Sequence, residues 1–225
     1  MLKVGLTGGV ACGKSVVGEM FVALGAKVIR ADDISHQLME PGQPVYEEVV
    51  KHFGTGILNP DGSVNRPRLA QAAFGSGNAA KSRVQELNQI VHPAVIKRQE
   101  QWMEEQGQRD PETVAIVEAA LVLEAGAWER FDRMVVVTCR PSQRIERWAG
   151  RLNVDMETAR GEVERRMAAQ LPEDQKVGAA DYVIDNSGSL EATRERVADI
   201  YAKLQKESKA LASGRTRLQT EKRDI

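Results

Sequence analysis

Five short apolar runs punctuate the chain, and the stretches between them repeat their apolar residues every three to four positions. Residues 2–6, interrupted only by Lys3, and the β-branched runs 113–117 and 134–138 have the composition of strands buried on both faces. Residues 27–29 and 182–184 are shorter runs of the same kind. Helical spacing follows the first run at Val17, Met20, Phe21 and Leu24, with Gly25 as a stop. It returns in Leu190, Val197, Ile200, Tyr201 and Leu204, a helix expected to pack on the sheet. Strands alternating with helices in this way predict an α/β fold with a parallel sheet.

Residues 36–110 contain few strand-like runs and many helical ones. Tyr46, Val49, Val50 and Phe53 form one apolar stripe, and Leu69, Ala72, Ala73 and Phe74 another. Between them Asn59-Pro60-Asp61-Gly62 has the chemistry of a turn. A third helical pattern through Val84, Leu87, Ile90 and Val91 reaches His92-Pro93, where Pro can open a further helix at its first position. This region reads as a helical insertion between the second and third strands. From about Ser208 the apolar face is lost, which predicts a flexible tail over 208–225.

The first strand ends in Thr7-Gly8-Gly9-Val10-Ala11-Cys12-Gly13-Lys14-Ser15, a GxxxxGKS pattern lying between a strand and a helix. Gly8 and Gly13 let the backbone curl so that successive N–H groups face one phosphate, reinforced by the helix dipole. In such a loop Lys14 reaches the outer phosphates and the Ser15 hydroxyl binds Mg²⁺. The ATP site then comprises Gly8, Gly9, Val10, Ala11, Cys12, Gly13, Lys14, Ser15 and Val16. After the second run comes Arg30-Ala31-Asp32-Asp33, at a strand end where open α/β sheets bind ligands. One aspartate there can accept a proton from an attacking hydroxyl, or either can cap the helix that follows over 34–39.

Between Arg140 and Arg166 stand seven arginines (Arg140, Arg144, Arg147, Arg151, Arg160, Arg165, Arg166) and no lysine. Interleaved carboxylates at Glu146, Asp155, Glu157, Glu162 and Glu164 account for part of them as helix-surface pairs. A planar guanidinium also fits phosphate oxygens bidentately, so the segment is a candidate lid over a transferring phosphoryl group. Cys12, at a helix N-terminus, is either a thiol of lowered pKa whose alkylation blocks ATP binding or a small space-filling residue. Cys139 reads as packing. The spacing of His36, His52 and His92 supports no metal site.

Composition narrows the class further. At 225 residues the chain suits one core enlarged by an insertion or lid. A net charge of -1 and a pI of about 6.4 argue against sequence-independent nucleic-acid binding. Two cysteines cannot build a disulfide framework, and the first residues are too short an apolar run for a signal peptide or membrane span. The expectation is a cytoplasmic enzyme without membrane or nucleic-acid partners, a monomer or weak homo-oligomer.

The stretches GLTGGVACGKS, VIRADDISHQLMEPGQPVY and FGTGILNPDGSVNRPRLAQAAF resemble the dephospho-CoA kinase family. The resemblance continues through Val91-His92-Pro93, EAALVLEAG at 118–126, the segment from Val135 to Arg151, MAAQ at 167–170 and AADYVIDNSGS at 179–189. It implies a three-layer P-loop NTPase-type parallel five-stranded sheet in one domain over 1–207. To this are added a helical acceptor-binding insertion (about 36–110) and a helical lid (about 140–178). The implied reaction is ATP-dependent phosphorylation of the 3′-hydroxyl of dephospho-CoA ribose, with Mg²⁺. Asp32 takes the position of the catalytic carboxylate, and Arg147 and Arg151 align with lid arginines. Asn186 falls in the turn near adenine, and Glu124 matches the family's glutamate. Arg66, His92 and Glu124 join Asp32 as acceptor contacts, although Arg66 and Arg68 also suit a solvated surface and His92 a helix start.

The sequence departs from the family pattern at Arg30 for the first Asp, at Ala11-Cys12 for Gly-Ser, at Glu118-Ala119-Ala120 for Asp-Ile-Pro, and at Arg144 for Gln. Two other readings compete: a kinase for another small acceptor such as a nucleoside monophosphate, and a non-catalytic nucleotide-binding module. A GTPase-type switch is disfavoured because no Asn-Lys-x-Asp motif is present.

Overall fold

The structure, a computed structural model, describes residues 1–74 and 78–214, with the side chains of 74–82 outside the description. The side chain of Phe74 in the second stripe and the last part of the predicted tail therefore lie outside the description. The chain divides into two compact units: residues 1–29 with 103–225, and residues 30–102.

In the first unit the apolar runs become strands with shifts of one or two residues: β1 Leu2–Gly8, β2 Lys27–Arg30, β3 Val114–Glu118, β4 Arg133–Thr138 and β5 Tyr182–Asp185. They form one all-parallel sheet in the order β2-β3-β1-β4-β5. The register sets Leu2 against Val114, Val4 against both Ile116 and Arg133, and Val135 against Tyr182. Buried on both faces, the central strands carry Val, Ile and Leu almost continuously. Leu2, Val4, Leu6, Ile116, Val135, Val137 and Ile184 pack on Val17 and Phe21 of α1 (Lys14–Ala23). The same cluster takes in Val197, Ile200, Tyr201 and Leu204 of the C-terminal helix, α9 (Leu190–Ala212). From β1 the chain goes outward to β2, returns through β3, and then crosses to β4 on the other side. The carboxyl end of β1 is thus the switch point where such sheets bind ligands, and the phosphate loop occupies it.

The C-terminal helix runs further than expected. It continues to Ala212, so the tail predicted from Ser208 is helical for its first five residues. Ser208 is fully buried and its hydroxyl donates to Thr113 O at 2.9 Å. This contact to the backbone just before β3, with Leu211 packed against the core cluster, keeps the last turns docked.

Three helices make up the predicted lid segment of this unit: α6 Pro141–Leu152, α7 Met156–Ala168 and α8 Glu173–Gly178. Asn153 adopts the left-handed conformation (φ +52°) that ends α6, and Asp155 caps α7 by accepting from Thr158 N at 2.8 Å.

The second unit is helical, as the periodicity predicts: α2 Ala31–Leu38, α3 Pro44–Phe53, α4 Arg66–Phe74 and most of α5 Asn78–Arg109. The Asn59–Gly62 segment is a turn, with Gly62 N donating to Asn59 O at 3.0 Å and Gly62 at φ +83°. Two local expectations fail. Arg30, not an aspartate, is the cap of α2, and Asp32 and Asp33 lie inside its first turn, where their charge suits the helix dipole. Pro93 opens no new helix. It sits inside α5, whose buried Val91, Val95 and Gln99 keep a four-residue spacing across it. Burial of that stripe offsets the hydrogen bond that Pro93 cannot donate.

Gly8 marks where β1 turns into the loop. It stands at φ +153°, and a Cβ there would lie 2.2 Å from Val137 O on the paired strand. Gly8→Ala is expected to destabilise the chain by about 2–3 kcal/mol, since the obstacle is backbone and cannot swing aside. Urea unfolding of the two proteins measures it, and an unchanged midpoint would refute the constraint.

Candidate active site

The phosphate loop is built on strain that its sequence announces. Gly13 enters α1 at φ +89°, and Ala11 holds φ +55°, a left-handed conformation costly for a residue with a Cβ. Lys14 Nζ donates to the carbonyls of Gly8 at 3.1 Å and Gly9 at 3.2 Å, so the ammonium lies over the loop. The Ser15 hydroxyl donates to Glu118 Oε1 at 2.8 Å. Glu118 closes β3 and is buried, which places a carboxylate beside the hydroxyl expected to meet a cation.

Two side chains hold the far limb of the loop. Asn186, 3% exposed after β5, donates from Nδ2 to Cys12 O at 2.8 Å. Its Oδ1 accepts from the Thr193 hydroxyl at 3.1 Å, and its backbone N–H donates to Thr138 O at 2.8 Å. Arg147 of α6 reaches the same place, donating from Nη1 to Cys12 O at 3.3 Å and from Nη2 to Asn186 O at 2.8 Å. A Cβ on Gly13 would stand 2.3 Å from Asn186 Nδ2, so glycine at 13 answers this close approach as well as the turn. The Asn186 side chain, expected near adenine, is engaged with the loop. Thr193, which locks its orientation, was not among the predicted residues because its role depends on a contact seven residues away that no motif marks.

Hydrophobic packing ties the loop to the lid segment. Val10 belongs to one cluster with Trp148, Ala149, Ala159 and Val163. The Trp148 ring carries the guanidinium groups of both Arg151 and Arg166, each 4.7 Å from its centroid. Arg151, predicted to face phosphate, thus rests on an aromatic face of its own helix and remains exposed. Glu124 is engaged inside this unit: it pairs with Lys176 Nζ at 2.7 Å and accepts from Leu171 N at 3.1 Å. Lys176 is 2% exposed and also donates to Gln170 at 3.3 Å. It was missed because a lysine in a short polar helix has no sequence feature that separates it from surface charge.

The thiols lie side by side beneath the loop. Cys12 is wholly buried, and its hydrogen bond with Cys139, together with burial, pushes its pKa up. Cys139 is lowered to about 7 by that hydrogen bond, opposed by burial and helped by the Arg144 and Arg147 charges. The helix N-terminus therefore does not lower the pKa of Cys12, contrary to the activated-thiol expectation.

In the second unit Asp32 is exposed in the first turn of α2. His36, one turn on, has its pKa lowered by burial and by Arg66, against the pull of Asp32 and Asp33. Asp32 and Arg66 thus share one electrostatic neighbourhood in this unit. His92 is half-buried within α5, and desolvation lowers its pKa. Among the described residues no three His, Cys, Asp or Glu side chains gather as a metal cage. No helix among them is long and apolar enough to cross a membrane.

The chain matches the dephospho-CoA kinase family over residues 2–192. The chain belongs to that family. Dephospho-CoA kinase of Syntrophotalea carbinolica is 39% identical over 204 residues, 91% of this chain and 92% of the relative. That of Aquifex aeolicus is also 39% identical, over 91% of this chain and 98% of the relative. Among solved structures, TT1252 from Thermus thermophilus superposes with a TM-score of 0.72 at 27% identity, covering 90% of this chain and 97% of that one. Membership makes the chain a P-loop kinase, a phosphotransferase that uses ATP. The matched span takes in the loop, Glu118, Glu124, Arg147, Lys176 and Asn186.

The Glu124–Lys176 pair fastens α8 to the segment after β3, and breaking it leaves a buried charge. Lys176→Met is expected to cost about 3 kcal/mol, and the double variant Glu124→Leu/Lys176→Met to recover most of that. Chemical denaturation of the three proteins checks this; a double variant as unstable as the single one would refute it.

Proposed function

We propose that this chain transfers the γ-phosphoryl group of ATP to the 3′-hydroxyl of dephospho-CoA ribose, giving CoA and ADP, the last step of coenzyme A synthesis. The observation that carries this reading is the phosphate loop braced by Arg147 and Asn186 in a chain that belongs to the dephospho-CoA kinase family. The loop amides of residues 9–14 and Lys14 Nζ bind the ATP phosphates, with Lys14 exchanging the Gly8 and Gly9 carbonyls for phosphate oxygens. Asp32 accepts the proton of the ribose hydroxyl as it attacks. It stands in the first turn of α2, the helix that directly follows β2, where a carboxylate suits the helix dipole.

Arg66 and His92 supply the acceptor side, and Arg147 and Arg151 the charge over the transferring group. Asn186 and Glu124 support this reading through the loop and α8 that they hold. Mg²⁺ fits the oxygen donors beside the loop, the Ser15 hydroxyl and the Glu118 carboxylate, since it takes few protein ligands and keeps phosphate and water oxygens. When bound, it screens the charge on the phosphate oxygens. The setting is the cytoplasm, where free thiols such as Cys12 and Cys139 persist, with no nucleic-acid or membrane partner.

The deciding experiment is coupled ADP release with dephospho-CoA, AMP and CMP offered in turn. Turnover confined to dephospho-CoA supports the reading. Turnover with a nucleoside monophosphate instead, or ATP binding without any turnover, would replace it. In the same assay Asp32→Asn is expected to lower kcat by about 10²–10⁴-fold with little change in ATP affinity. Lys14→Ala is expected to lose both. An Asp32→Asn protein with full turnover removes Asp32 from the chemistry.

A further inference from the structure

A buried guanidinium lies directly behind the phosphate loop, and the reaction as described above makes no use of it. Arg144 of α6 is 2% exposed. Its Nη1 lies so close to Gly9 that a Cβ there would stand 2.5 Å from it. Nη2 donates to Cys139 O at 3.4 Å and pairs with Glu173 at the start of α8. Nε is buried without a hydrogen-bond partner. The charge is felt across the loop base, for it acts on the thiols of both Cys12 and Cys139.

A cation so placed is expensive unless something offsets it. Glu173 does so in part, but the Glu173 side chain is 39% exposed and water weakens its share. Because Nη1 lies against Gly9, the part of the charge that Glu173 does not offset sits immediately behind the loop backbone. A buried charge in a poorly screened place acts on a polyanion through the loop without touching it.

From this arrangement we infer that Arg144 is a positioning residue for the polyphosphate of the nucleotide. Packed against the Gly9 limb of the loop, it adds positive charge behind it that Glu173 offsets only in part, so Glu173 tunes that charge. The inference rests on the ATP reading given above. It makes the two partners of one ion pair act on nucleotide affinity with opposite signs. A pair that only held the fold together would act with the same sign from either side.

The test is calorimetric titration of the full chain with ATP, ADP and AMP, for wild type, Arg144→Gln, Arg144→Lys, Glu173→Gln and the Arg144→Gln/Glu173→Gln double variant. Arg144→Gln is expected to weaken ATP about tenfold, equivalent to about 1.4 kcal/mol. The loss should shrink through ADP to less than about twofold for AMP, and Arg144→Lys should restore part of it. Glu173→Gln is expected to tighten ATP by about two- to threefold, and to do nothing in the Arg144→Gln background. Weakening of ATP by both single variants, or equal losses for ATP and AMP, would overturn the inference while leaving ATP binding by the wild type intact. A wild-type chain that binds no ATP would overturn the ATP reading as well. Should Arg144→Gln fail to fold, Glu173→Gln decides alone: unchanged or weaker ATP affinity rejects the proposal.

Discussion

The carbonyl of Cys12 is the small point on which the phosphate site depends. It accepts from Asn186 and from Arg147, donors from two separate segments that both lie more than a hundred residues after the loop. A phosphate loop works only if its amides already converge, because rotating them during the reaction would cost the energy they are meant to supply. Left to itself a Gly-rich segment samples many conformations. Here the end of β5 and the first lid helix grip its far limb, and α9 grips Asn186 in turn through Thr193. The same contacts make the fold of the C-terminal third a condition for the chemistry of the first fifteen residues.

Around that point the structure uses packing and charge for different tasks. The all-parallel sheet and the α1–α9 face are apolar and set the position of the β1 terminus. The arginine-rich helices have a small core of their own, into which Val10 is inserted, so their packing is tied to the loop. Among the described residues, buried charged side chains are Arg144, Glu118 and Lys176, and none belongs to the main apolar cluster. This distribution lets the core supply stability while the costlier ionic contacts set geometry near the nucleotide.

Much of this was legible in the sequence, for identifiable reasons. The strands are buried on both faces, so their apolar runs stood out against everything around them, and the loop motif lies between a strand and a helix as its chemistry requires. The left-handed strain at Ala11 follows from an Ala standing where glycine is easier. What stayed hidden depends on contacts between distant residues. Helix α5 passes through Pro93 because of a buried stripe that the local rule for proline ignores. Ser208, through a hydrogen bond to Thr113, and Leu211, packed on the core, extend α9 where the sequence pattern loses its apolar face. At Cys12 the helix terminus leaves an activated thiol and a space-filling residue both open, and the Cys139 thiol, which no local pattern marks, raises its pKa.

The arginine-rich segment shows how far composition can be taken. Seven arginines without lysine suggested phosphate recognition, yet six of them are already engaged by other groups of the chain, Arg140 through Ser187 O at 3.1 Å. Arg147 bridges two carbonyls of separate chain segments, which needs a flat fork with divergent donors and not a compact ammonium. Arg151 and Arg166 lie on Trp148, a contact that a weakly hydrated planar cation favours. Arg165 pairs with Glu162 on a helix surface. Arg144 is buried behind the loop. The common physical property is the delocalised planar charge, and phosphate is only one of its partners. Selection for arginine in such a segment therefore reports dense, directional contacts around an anion site as much as contacts to the anion itself.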